Sequence, residues 1–228
     1  MKKRTLYLII IGFITIGCII GGTIVYTNRT IYDKKYDFNN TISFSELDDF
    51  DSISIDGNIM ELSFESCDNN YEGELSVHYN KEKLEPNIYV KDNTLFINQN
   101  ISGNLSGNNH CIVRIVIPEN LYLNSSKIKV NVGEIEINNL NSKEIDVQTN
   151  VGEIDVEDSY FNYIFCKTNV GEINIEPKKS LDEYDLTLES NVGRINVVDE
   201  HFKGSYNKKG NSSKYIKAKT NVGEINIL

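Results

Sequence analysis

Asn150-Val151-Gly152-Glu153-Ile154 is one of five copies of a single phrase, and its reading decides the fold. The copies start at Asn131, Asn150, Asn169, Asn191 and Asn221, spaced 19, 19, 22 and 30 residues apart, and Arg194 stands where the others have Glu. Before each glycine the apolar residues alternate, as Ile145, Val147 and Val151 do around Thr149; after it the parity flips, here to Ile154 and Val156. Alternation with a period of two is a strand, and a change of parity requires a corner. Gly133, Gly152, Gly171, Gly193 and Gly223 are therefore read as structural corners, where a Cβ would disfavour the turning backbone.

Two short strands per coil, repeating at 19 residues, predict an all-β, single-domain β-solenoid, parallel β-helix-like, with coils stacked about 4.8 Å apart. One coil cannot bury its own apolar face, so stacking must create the core. The corner asparagines are expected to form a hydrogen-bonded ladder outside it. Stacking in chain order would also align Glu134, Glu153, Glu172, Arg194 and Glu224, with the arginine relieving repulsion between glutamates. A calcium ladder would need an Asp-bearing, glycine-rich nonapeptide, which the chain lacks, so the acids are read as structural and no metal site is assigned.

Working towards the N-terminus, Asn58-Ile59-Met60-Glu61-Leu62 has the outline of the phrase with Met60 at the glycine position, and marks a degenerate first coil. Strands are expected at 75–79, 88–90, 94–97 and 111–117, with a hairpin turn at Lys91-Asp92-Asn93, and these would cap the solenoid. Residues 45–120 thus form the degenerate coil and cap, and 121–228 the regular repeats, of one domain spanning 45–228. Residues 27–44, rich in Tyr, Asn and Lys without sustained periodicity, read as a juxtamembrane linker.

Residues 5–26 carry no charge, and 22 residues at about 1.5 Å each would span a bilayer as a helix. Met1-Lys2-Lys3-Arg4 then forms a cytoplasmic tail and places the C-terminal domain outside, although Arg29, Lys34 and Lys35 oppose that bias. The expectation is a single-pass cell-membrane protein. The apolar run continues past Cys18, which favours a lipid-facing cysteine over a lipidated one. Residues 27–228 hold 20 basic and 33 acidic side chains, a net charge of −13. Such a domain repels nucleic acid and leaves cationic peptides or metal ions electrostatically allowed.

The order of an apolar strand, Ile115-Val116-Ile117-Pro118-Glu119-Asn120-Leu121, followed by strand-Gly-acid-strand coils resembles the bacterial putative-adhesin family of envelope β-solenoid domains, a family whose function is largely uncharacterised. The resemblance covers residues 50–228, with Val-Gly-Glu where that family usually has Ser-Gly-Asp. It implies an extracytoplasmic binding or structural module, adhesin-like or concerned with envelope stress, with an unidentified envelope or surface partner and no catalytic residues.

Three histidines, no tryptophan and four scattered cysteines supply little chemistry, and no cofactor is expected. Cys67 and Cys111 both fall in the cap, where a disulfide between them is open to question, and Cys166 occupies an inward slot. The strongest contact candidate is the excess length at 199–213, expected to leave the solenoid as a loop. It offers Phe202, Lys203, Tyr206, Lys208 and Lys209, in a stretch without an acid from Lys203 to Lys219. Two alternatives are a polysaccharide-acting β-helix enzyme, which would need a carboxylate cluster on one face, and a scaffold facing the cytoplasm.

Overall fold

The computed structural model describes residues 38–101, 103 and 106–228. The expected cytoplasmic tail, the membrane span at 5–26 and most of the linker lie outside the described residues. Among the described residues no helix is long and apolar enough to cross a membrane. Residues given to the end of the linker differ from expectation, because Phe38–Ser43 forms strand β1, antiparallel to β4 (Glu74–Tyr79). Phe38 stacks on Tyr79 with ring centroids 5.0 Å apart, an aromatic contact that holds this strand to the domain.

Each copy of the phrase is a strand, a glycine corner and a second strand. The pairs are β8 (Leu123–Val132) and β9 (Ile135–Asn138), β10 (Ser142–Val151) and β11 (Ile154–Ser159), and β12 (Tyr163–Val170) and β13 (Ile173–Pro177). In β14 (Tyr184–Val197) one continuous strand runs through its corner, and β16 (Lys214–Val222) with β17 (Ile225–Ile227) completes the set. The degenerate coil is β2 (Ser52–Ile59) with β3 (Glu61–Cys67), and its Met60 stands beside Gly133, its backbone N–H donating to the Val132 carbonyl.

The coils stack through parallel ladders into two faces. On the first face Ile55, Ile128, Val147, Cys166, Ala218 and Leu188 form one inward row. On the second, Leu62, Ile135, Ile154, Ile173, Ile225 and Ile195 form another. All twelve are buried and belong to one hydrophobic core. Burying such rows is the main favourable term in folding, at about 1.5–3 kcal/mol for each large aliphatic side chain.

Stacking does not follow chain order at either end. The β16/β17 coil inserts between β12/β13 and β14, so the fourth copy in sequence is the outermost in space. At the other end β6 (Thr94–Asn98) and β7 (Cys111–Pro118) lie outside β2 and β3. The expected cap strands are all present. Strand β5 (Asn87–Lys91) joins β6 through a tight hairpin in which Asp92 and Asn93 take φ of 49° and 57°, and β4 runs antiparallel to β7.

Two cap cysteines separate widely. Glu61 pairs with Ile112 and Cys67 with Pro118, so Cys67 and Cys111 sit at opposite ends of two parallel strands and both are free thiols. Six residues of strand at about 3.3 Å each exceed any disulfide span.

The corners are doubly constrained. Gly152 has φ +150°, and a Cβ there would stand 1.7 Å from the carbonyl oxygen of Gly133 in the next coil. Each of the other four corner glycines meets a neighbouring corner carbonyl at 1.7–1.8 Å in the same way. Glycine is therefore required by the close approach of coils as well as by the backbone angle.

Candidate functional site

The 199–213 segment is not a free loop. Glu200–Lys208 is strand β15, antiparallel to β14 and closing the end of the stack. The outermost coil would otherwise leave an open core and an unpaired edge, and the period-two spacing of Phe202, Gly204 and Tyr206 lets the same segment cover both. Phe202 pairs opposite Ile195 and Tyr206 opposite Leu188, so both rings point to the core side, half-buried, with centroids 4.3 Å apart.

Lys208 Nζ donates to Asp182 Oδ1 at 2.8 Å and Lys209 Nζ to Asp185 Oδ2 at 2.6 Å. The Gly210 backbone N–H donates to the other Asp185 oxygen at 2.8 Å. These bonds hold the Asp182 and Asp185 carboxyls below the usual range. The five expected contact residues thus divide: Phe202 and Tyr206 serve the core, Lys208 and Lys209 pair within the chain, and Lys203 is exposed.

The two outer faces differ in charge, the first being mixed, with Asp56, Glu144, Asp146 and Glu189 among its lysines. Lys127, Lys129, Lys167, Lys217 and Lys219 rise from first-face strands, Lys217 lying 5.5 Å over the Phe165 ring and Lys219 pairing with Glu189 at 2.7 Å. The second face and its corner carry acids. In spatial order the corner row reads Glu134, Glu153, Glu172, Glu224, Arg194, so the arginine ends the row rather than interrupting it. Two residues further along each phrase a second row reads Glu136, Asp155, Asn174, Asn226 and Asn196.

Asparagine decides how that acidity is tolerated. Asn226 Nδ2 donates to Glu172 Oε1 at 2.5 Å and Asn174 Nδ2 to Glu153 Oε1 at 3.1 Å and Asp155 Oδ1 at 2.5 Å. At the opposite end Glu136 and Asp155 replace asparagine, and carboxylate oxygens of Glu134, Glu153 and Asp155 lie within 4.8 Å of one another. Burial, then the charges of Glu136, Glu153 and Asp155, push the Glu134 carboxyl up to about 7. Burial also raises Glu153 and Glu172, partly offset by their asparagine donors. Glu134, Glu153 and Asp155 are the described residues best placed to receive a cation. The GEIE, GEID and GEIN endings that distinguish the coils were visible in the sequence, but only the observed stacking shows which are neighbours.

Outside this acid row runs the expected amide ladder. Asn150 donates to Asn131, Asn169 to Asn150, Asn221 to Asn169 and Asn191 to Asn221, at 2.5–3.1 Å. Beside it lies a shallow open groove of about 240 Å³ lined by residues such as Asp56, Lys129, Asn131, Gln148 and Asn150.

Among solved structures, the chain is similar to a "putative cell adhesion protein" from Clostridium sporogenes, at 21% identity and a TM-score of 0.65, over 83% of this chain and 97% of that one. A "putative adhesin" from Bacteroides fragilis aligns over 86% of this chain and 98% of that one, at 14% identity and a TM-score of 0.41. A "Putative lipid binding protein" from Parabacteroides distasonis aligns over the same 86% and 98%, at 14% identity and a TM-score of 0.27. At these identities the first likeness establishes the fold. No curated protein matches the chain. A family model described as Toastrack DUF4097 matches residues 112–228, more than half of the chain and all five phrases, and the protein belongs to the Toastrack DUF4097 family.

Proposed function

We propose that the protein is a membrane-anchored, extracytoplasmic binding module of the bacterial envelope, adhesin-like, that works by contact without turnover. The apolar segment at 5–26 would anchor it, with the C-terminal domain displayed outside. The name of the Clostridium sporogenes structure is in keeping with adhesion. The observation that carries the reading is the acidic second face: glutamates stand at the corner of four successive stacked coils, from Glu134 to Glu224, along a continuous parallel ladder, as suits an extended contact. The complementary partner is cationic, a basic peptide or a surface bearing amines.

Two measurements test this. Cells expressing the full chain with an epitope after Leu228 should bind antibody without permeabilisation; staining only after permeabilisation would favour a cytoplasmic scaffold. Full-length protein in detergent should be retained on immobilised polylysine, and Glu153→Gln with Glu172→Gln should weaken retention. Equal retention of wild type and variant would remove the acidic face from the binding reaction.

A further inference from the structure

Among the described residues, strand β15 is paired on one side only. It pairs with β14 over Glu200–Phe202 and over Gly204–Lys208, with a register shift between the two, and among the described residues no strand is paired with its other edge. Such an edge offers a row of backbone donors and acceptors to another chain. The strand also has a natural centre. Gly204, at φ +79°, sits where the strand passes from the second face, opposite Val197 and Ile195, to the first, opposite Ser190, Leu188 and Leu186. Glu200–Phe202 and Tyr206–Lys208 are therefore equal arms around a corner.

From this we infer that β15 is a homodimerisation edge, and that a second copy of this chain pairs with it antiparallel about a two-fold axis at Gly204. The sequence complements itself in that register. Glu200 falls opposite Lys208 of the second copy, Phe202 opposite Tyr206, and Lys203 opposite Ser205. Opposite charges and aromatic pairs are the cross-strand combinations that stabilise a ladder. Each Lys208 would then be shared between Asp182 of its own copy, already 2.8 Å away, and Glu200 of the other.

The register can be checked against its rivals. A two-fold axis perpendicular to a sheet keeps each side chain on its own face, so residues directly opposite must have the same parity and the axis must pass through a residue position. Centring on Lys203 would set two lysines face to face, which is repulsive. Centring on Ser205 would set Phe202 against Lys208 and Tyr206 against Gly204, losing the aromatic pair. Only the Gly204 centre joins charge and aromatic complementarity. It also places the axis at the corner, so the first face of one copy continues into the second face of the other. The half-buried Phe202 and Tyr206 rings of both copies would then close a single core.

The test uses full-length protein in detergent micelles, with Cys18 and Cys67 changed to Ser and the buried Cys111 and Cys166 retained. Lys203→Cys combined with Ser205→Cys should give a disulfide-linked dimer on mild oxidation, and either change alone should give little. Efficient cross-linking by Lys203→Cys alone, or by Ser205→Cys alone, would overturn the Gly204 register, and no cross-link in the double variant would overturn the edge itself. Light scattering supplies an independent reading. Glu200→Lys sets like charges opposite twice per dimer and should weaken association about tenfold, with Glu200→Lys/Lys208→Glu restoring it. Monomers at every concentration, or a dimer indifferent to Glu200→Lys, would place self-association elsewhere or nowhere. Circular dichroism confirms the β fold of each variant.

Discussion

Arg194 and Glu224 face one another from neighbouring coils, Nε to Oε1 4.0 Å apart, at the end of the corner row where Glu224 has Glu172 on its other side. Both side chains are well exposed, at 67% and 45%. A terminal, exposed pair is worth little. Arg194→Glu should therefore lower stability by less than about 1 kcal/mol at low salt, with most of the loss recovered at high salt. Paired thermal melts check this; a loss of several kcal/mol would mean that the arginine is held between two acids after all.

The corner glycines should respond very differently from an ordinary turn glycine. Gly152→Ala combines an unfavourable φ with overlap onto the Gly133 carbonyl, and the backbone of two coils must move apart to admit it. A loss of about 3 kcal/mol or more is expected. Gly107→Ala, at φ +75° with nothing within 4 Å of its Cβ, should cost only about 1 kcal/mol. Chemical denaturation of both variants gives the comparison, and similar losses would mean that coil contact is not what excludes a side chain.

Stability should fall as pH rises through neutrality. The Glu134 carboxyl is raised to about 7 from an ordinary value of 4.5, chiefly by burial. Between those values the folded chain holds a proton that the unfolded chain has released, so the added stability is complete below about 4.5 and is lost as pH passes 7. Glu153 and Glu172 shift in the same direction. The domain should be more stable at pH 5.5 than at pH 8 by on the order of 1–2 kcal/mol, and Glu134→Gln should remove much of the difference. An unchanged slope in that variant would assign the pH dependence to other groups.

Changing Phe202 and Tyr206 together to Ser should lower the melting temperature, because the rings cover the last coil of the core. Two half-buried aromatics correspond to about 2–3 kcal/mol. A melting temperature equal to wild type would return these residues to the role of free contact anchors.

How much was legible depended on whether a feature repeats locally or depends on neighbours in space. Parity flips at Gly152 and its counterparts reveal strand, corner and strand without reference to anything distant. Asp92-Asn93 gives the hairpin, and five asparagines at one register give their ladder. What a period cannot show is which coil lies beside which. The 22- and 30-residue spacings mark an irregularity, but chain order alone gives Arg194 two glutamate neighbours, where the stack gives it Glu224. The same gap hid β15, since an insertion looks like a loop until an exposed coil edge needs covering. The relief of Glu153 and Glu172 by Asn174 and Asn226 depends on that spatial order too.

The inserted coil makes completion of this end of the domain a matter of timing. A solenoid stacked in chain order can grow by adding each coil to the last as it emerges. Here β14 and β15 emerge after β13, yet in the finished stack β14 pairs with β16 and β17, which follow it in the chain. Until residues 214–227 are available, the hairpin has no neighbour on the stack, so synthesis or export proceeds with that part waiting. The final step then resembles closing a gap, with higher contact order than the sequential coils, and it joins the last two coils into one cooperative unit. A chain interrupted before Lys214 would lose both coils, which confines a partly made product to a recognisably shorter stack.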